Sequence, residues 1–185
     1  MPKARARGRL FENRIVVWDV EDSRRLFKEG YYGKPLGIPK PKDFEFDAPL
    51  ILDLMEGYYL STRKVIDVED QAGKALTAKQ LQGVCEASYP EFAEKFLVYR
   101  KLREGGYVVT PGIKFGSDFA VYEHGPGIDH APYIVQVMPP GSKMTATAMV
   151  RSGRLATTVR KQFIIAIPDM ERKSIEFLRY DWWRA

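Results

Sequence analysis

Apolar positions along this chain change their period several times, and each change marks an element. Residues 14–18 read Arg-Ile-Val-Val-Trp, a β-branched run that predicts a strand. Leu26 and Phe27 then lie in a short helix from Asp19, with Asp22 or Ser23 able to cap it and Gly30 to stop it. Residues 32–49 hold Pro35, Pro39, Pro41 and Pro49. Proline donates no backbone N–H and fixes φ, so this stretch predicts a loop, long enough to suggest a functional one. Residues 50–60 are apolar on most sides and predict a buried helix; residues 64–68 predict a strand. Thr77 caps a further helix, and Pro90 suits the first turn of the next. Phe92, Phe96, Leu97 and Leu102 recur there at helical spacing, and Gly105-Gly106 ends it.

From Tyr107 strands dominate, at 107–110, 114–122, 132–138, 162–167 and 174–180, with one helix over 143–158. The run at 132–138 is almost wholly apolar, which places it at the centre of a sheet. The fold class expected is α/β (α+β). A small N-terminal α/β domain (residues 1–88) carries a basic arm and a Pro/Lys loop at 34–49. A C-terminal domain (residues 89–185) is built on a mixed sheet flanked by helices.

Composition narrows the class. Apolar residues at 45% suffice for a packed core, so disorder is expected only at the termini. A net charge of +5 favours polyanions, though many proteins that never meet nucleic acid carry as much. Cys85 is the single cysteine, which excludes an internal disulfide and a cysteine-rich zinc site. It sits on the apolar side of a predicted helix and reads as a buried structural thiol. No apolar run approaches the roughly 20 residues of a membrane span. The first nine residues hold four cations and no apolar core, so they read as a flexible basic arm rather than a secretory signal. A cytoplasmic location is expected.

Three side-chain types in the C-terminal half can together cut RNA through its own 2′-hydroxyl. Tyr122 ends a predicted strand, a histidine lies in the turn before the next, and Lys161 opens the strand after the long helix. A phenol can take the proton of the 2′-hydroxyl, and an imidazole can protonate the departing 5′-oxygen. An ammonium can hold the charge that builds on the phosphate. With a reference pKa of about 10, tyrosine is a weak base and needs a nearby cation or works by positioning. Histidine, near 6.5, suits the acid. Both His124 and His130 fall in the right stretch.

The local text is distinctive: Tyr99-Arg-Lys-Leu-Arg-Glu-Gly-Gly-Tyr107, Lys114-Phe-Gly-Ser-Asp-Phe-Ala-Val-Tyr122, His130-Ala-Pro-Tyr133-Ile-Val, and Arg154-Leu-Ala-Thr-Thr-Val-Arg-Lys161. These segments, in order across residues 95–167, resemble the archaeal tRNA-splicing endonuclease family, while the resemblance fades over residues 1–48. The resemblance implies a small α/β domain before a catalytic one, and metal-free cleavage of precursor tRNA at bulge–helix–bulge junctions, leaving 2′,3′-cyclic phosphate and 5′-hydroxyl ends. No cofactor is implied. By position, Tyr122 matches the family's general base, His130 its general acid and Lys161 its charge-stabilising lysine. His130 is preferred to His124 because it precedes Tyr133-Ile-Val as the family histidine precedes its strand. Arg154 and Arg179 match arginines that stack on a flipped bulge base, a contact that reads no sequence.

An intron needs two cuts, so at least two copies should face one RNA. The Pro/Lys loop resembles an insertion of crenarchaeal catalytic subunits, implicating Lys40 and Lys42 in RNA contact and a heterotetramer with a structural subunit; a homotetramer is the alternative. The loop at Asp169-Met-Glu171-Arg172-Lys173 is only half acidic, which suits a chain that receives a partner's acidic loop. Pro168-Asp169 with Glu171-Arg-Lys173 spells pieces of a metal-dependent nuclease motif, but crowds them into one turn. The other class to weigh is a non-catalytic RNA-binding or structural subunit, against which retention of all three residues argues.

Overall fold

A computed structural model describes residues 4–39, 41–128, 130–158 and 160–180. The chain is α+β, in two compact units, residues 1–92 and 93–185, each built on a five-stranded mixed sheet.

The first unit runs β1 (Ala6–Phe11), β2 (Arg14–Val17), α1 (Val20–Gly30), β3 (Lys34–Pro35), β4 (Leu50–Asp53), α2 (Leu54–Thr62), β5 (Ile66–Glu69) and α3 (Ala78–Ser88). Its sheet has the order β3-β4-β2-β1-β5, antiparallel except where β1 meets β5. Alternation divides it cleanly: Ala6, Ile15, Val17, Leu50, Leu52, Ile66 and Val68 are buried, while Arg7 and Asp67 point outward.

Part of the expected basic arm is therefore a strand. Its signal was faint because the buried positions of β1 begin with Ala6 and Gly8. A side chain at Gly8 would meet Ile15 Cγ2 at 2.6 Å, so the sheet packs tightly onto its missing Cβ. Two arginines of this segment pair with β5: Arg5 with Asp67 at 2.9 Å and Arg9 with Glu69 at 3.7 Å.

The run expected as one helix over 50–60 is a strand followed by a helix. Asp53 makes the break. Its carboxylate accepts from Met55 N while Glu56 reaches back to Asp53 N, a capping box that starts α2 at Leu54. Glu56 is buried, and its other oxygen accepts from Gly33 N at 3.0 Å. The Tyr89 hydroxyl also donates to Asp53, at 2.6 Å, tying the end of α3 to this corner. Asp19, rather than Asp22 or Ser23, caps α1; the Ser23 hydroxyl turns inward to Val17 O and Asp19 O. Thr77 caps α3 in a box with Gln80. Cys85 is fully buried against Leu54 O. Burial first, and then the charge of Asp53, pushes its thiol up to about 12.

The second unit follows with α4 (Phe92–Glu104), β6 (Val108–Pro111), a 3-10 turn (Ile113–Phe115), β7 (Phe119–Tyr122), β8 (Tyr133–Val137), α5 (Ala146–Thr158), β9 (Gln162–Asp169) and β10 (Ser174–Tyr180). Pro90 lies in the turn before α4, two residues short of its first turn, with Glu91 in the left-handed region. The strands stand in chain order, β10-β9-β8-β7-β6, with β8 central as its apolar run requires. Only β8 and β9 are parallel, and α5 supplies the crossover between them. One sheet face, with Phe119, Val121 and Val135, packs on α4, where the Tyr99 ring lies 5.9 Å from that of Phe119. Arg103 is buried there, donating to Tyr99 Oη and Val109 O. The opposite face carries Ile134, Phe163 and Ile165.

Residues 114–122 are not one strand. The chain leaves β6, makes the 3-10 turn and folds back over the second face before β7 begins. Asp118 forces this. Its carboxylate accepts from Val137 N at 2.8 Å and Gln136 Nε2 at 2.7 Å, and pairs with Lys95 at 3.1 Å. A Cβ on Gly112 would stand 2.7 Å from Phe119 N, so only glycine lets the loop close this tightly.

Candidate active site

Sheet register carries Tyr122 and Lys161 to one place. Val121 of β7 pairs with Tyr133, so Tyr122, one residue on, stands opposite Pro132 at the start of β8. Gln162 of β9 also pairs with Tyr133, from the other side, so Lys161 flanks Pro132 there. Paired residues share a face, and alternate residues change face. Tyr122 therefore shares a face with Ala120 and Ile134, and Lys161 with Phe163 and Ile165. That is the same face and the same end of the sheet. The two flanking strands lie roughly 10 Å apart, two strand spacings, a gap that a tyrosine and a lysine side chain can close.

His130 stands two residues before Pro132. It is exposed, and buried Ala131 with half-buried Pro132 then leads into β8. The Lys161 ammonium donates to the carbonyl of Ala131, one peptide from the histidine. It also lies 5.1 Å from the centre of the Phe115 ring. His124 is exposed as well, two residues beyond Tyr122, on the far side of the turn that Ile128 N closes onto Gly125 O at 3.1 Å.

The arginines divide. Arg154 is exposed on α5, one turn before its end, where α5 packs on β9 and leads into Lys161. Arg179 pairs in register with Ile164, which puts it on the other face of the sheet. There its guanidinium reaches Gln162 Oε1 at 3.5 Å. That face holds a second cluster at the same sheet end. The Tyr133 hydroxyl donates to Glu123 at 2.9 Å, and its ring meets Tyr107 edge-on at 6.2 Å. The hydrogen bond to Glu123, more than its slight burial, raises the Tyr133 phenol above its ordinary pKa. Tyr133 is thus the wrong tyrosine for a base. Lys42 is exposed in the loop of the first unit; Lys40 lies outside the described residues.

Phe115 and Asp118 were missed as site residues by sequence reasoning, although both stand in the Lys114–Tyr122 text. Alternation alone read Phe115 as one strand residue among several. The Gly112 and Gly116 pair around it was the available sign of a turn. At the β9–β10 turn, Asp169 Oδ1 accepts from the backbone of Glu171 and Arg172, at 3.0 and 2.9 Å, and so serves to close the turn.

Comparison with known proteins agrees with this architecture. Residues 92–177 match the tRNA intron endonuclease catalytic C-terminal domain, and residues 6–82 match the tRNA intron endonuclease N-terminal domain. The likeness thus extends well into the stretch where residue-by-residue resemblance fades. The chain is 47% identical to a tRNA-splicing endonuclease of Hyperthermus butylicus, over 91% of this chain and 93% of that protein. It is 41% identical to one of Pyrobaculum arsenaticum, over 96% and 99% of the two chains. With one of Sulfurisphaera tokodaii the figures are 39%, 95% and 97%. The chain belongs to the tRNA intron endonuclease family.

Proposed function

We propose that this chain is a catalytic subunit that cuts precursor tRNA at bulge–helix–bulge splice sites by metal-free transesterification. Tyr122 takes the proton of the 2′-hydroxyl, which attacks the neighbouring phosphorus. His130 protonates the 5′-oxygen as its bond to phosphorus breaks. Lys161 stabilises the charge on the pentacoordinate phosphate between them. The products are a 2′,3′-cyclic phosphate and a 5′-hydroxyl. The observation that carries this reading is the shared face and shared sheet end of Tyr122 and Lys161, with Lys161 bonded to the carbonyl of Ala131, next in sequence to His130. Arg154, at the end of the helix that delivers Lys161, is the arginine best situated to stack on a bulge base. Arg179 acts from the opposite face, and Lys40 and Lys42 touch RNA from the loop of the first unit.

Two cuts require two such sites, so the working form is a heterotetramer of two catalytic and two structural subunits. The boundary near residue 88 divides an RNA-contacting domain from the endonuclease domain. The decisive experiment incubates the protein, alone and with candidate partner subunits, with an intron-containing transcript in EDTA. Cleavage with cyclic-phosphate ends is the expected result. Strict Mg²⁺ dependence, or 3′-hydroxyl products, would overturn the reading.

A further inference from the structure

Lys161 extends from the mouth of β9 on a four-carbon stem that, in solution, would sample many rotamers. An ammonium that must meet a phosphate works best when already aimed. The lysine's surroundings supply that aim. Its nitrogen donates to the Ala131 carbonyl, and the Phe115 ring lies beneath it with 5.1 Å from nitrogen to ring centre. A carbonyl and a ring are neutral groups, so these two contacts orient the ammonium without cancelling its charge.

Phe115 is itself immobilised. Its inner side packs against Ile134, Phe163 and Ile165. Its turn closes through Phe115 N onto Gly112 O at 2.8 Å, and Gly112 N onto Asp118 O at 2.8 Å. Asp118 is in turn bound to β8 through Val137 N and to α4 through Lys95. The loop folded back over the sheet therefore ends in a fixed aromatic plate.

We infer that Phe115 is a positioning residue: its ring face, together with the Ala131 carbonyl, holds the Lys161 ammonium at the cleavage site before RNA arrives. The inference rests on the proposed role of Lys161. The attraction depends on the electron density of the ring face, which packing does not. Successive ring fluorination removes that density and leaves the shape nearly intact.

The test replaces Phe115 with mono-, di- and trifluorophenylalanine in the full chain, assembled with any partner it requires. Single-turnover cleavage is measured at saturating enzyme. The logarithm of the rate is expected to fall stepwise, reaching about tenfold at three fluorines. Affinity for a transcript with a 2′-deoxy cleavage site, and the melting temperature, are expected to stay constant. Phe115→Leu should lose about as much rate as the trifluoro variant, and Phe115→Trp should retain it. A flat fluorine series in an enzyme that Lys161→Ala inactivates sinks the inference and leaves the function standing. An enzyme indifferent to Lys161→Ala sinks both.

Discussion

The two sheets of this protein differ in the contacts that their cations make. In the first unit, arginines meet carboxylates: Arg5 with Asp67, Arg9 with Glu69, Arg14 with Asp53, Arg25 with Asp22. In the second, Lys95 likewise meets Asp118, but the Lys161 ammonium also rests on a carbonyl and an aromatic ring, and Arg179 reaches a side-chain amide. A cation balanced by a carboxylate offers little to a phosphate. A contact with a carbonyl or a ring face aims a cation without cancelling its charge. Net charge counts both kinds alike, which is why +5 says little about where RNA would bind. The lesson is to weigh each cation by its partner.

The sharpest break of this contrast is at Lys161 and His130. Alanine at either should slow cleavage about 10²-fold or more with RNA affinity nearly unchanged, measured by single-turnover kinetics and binding to a 2′-deoxy substrate. An equal loss of binding would make them contact residues. Next in size is Asp53→Ala, which removes the α2 cap and strands the Tyr89 hydroxyl. We expect about 2–4 kcal/mol of lost stability in denaturant unfolding. A loss below about 0.5 kcal/mol would show that the corner is not structural. Arg154→Ala should cost roughly 1–3 kcal/mol in substrate affinity or transition-state binding, the scale of one stacked base. Wild-type behaviour in both would remove it from the site. Smallest is Arg5→Ala. Its pair with Asp67 is half exposed, so stability should change by no more than about 1 kcal/mol, and by less at high salt. A large drop in cleavage there would erase the difference between the two sheets.

Much of this was legible in the residues. The central β8 followed from an unbroken apolar run, and α3 and α4 from caps and spacing. Tyr122, His130 and Lys161 became the candidates because their local text is distinctive. The joining of Tyr122 to Lys161 was not legible, because register is a long-range property that local spacing does not contain. The same gap hid the face of Arg179. It needs the pairing of β10 with β9 to show that Arg179 lies opposite Ile164, away from Lys161. At 50–60 an apolar run could not by itself distinguish strand from helix; Asp53 and Glu56 held the answer in their three-residue spacing. β1 escaped notice because its inward positions start with residues too small to register as hydrophobic, while arginines took the outward ones.

The sealed thiol of Cys85 has a practical consequence. A mercapto group with so little anionic character near neutral pH reacts slowly with maleimides and does not readily enter exchange with other thiols. The native chain is therefore a quiet background for labelling. A cysteine introduced at exposed Ile128, beside the His130 segment, would carry a fluorophore while Cys85 stays silent, so that docking of RNA at the sheet end could be followed in real time.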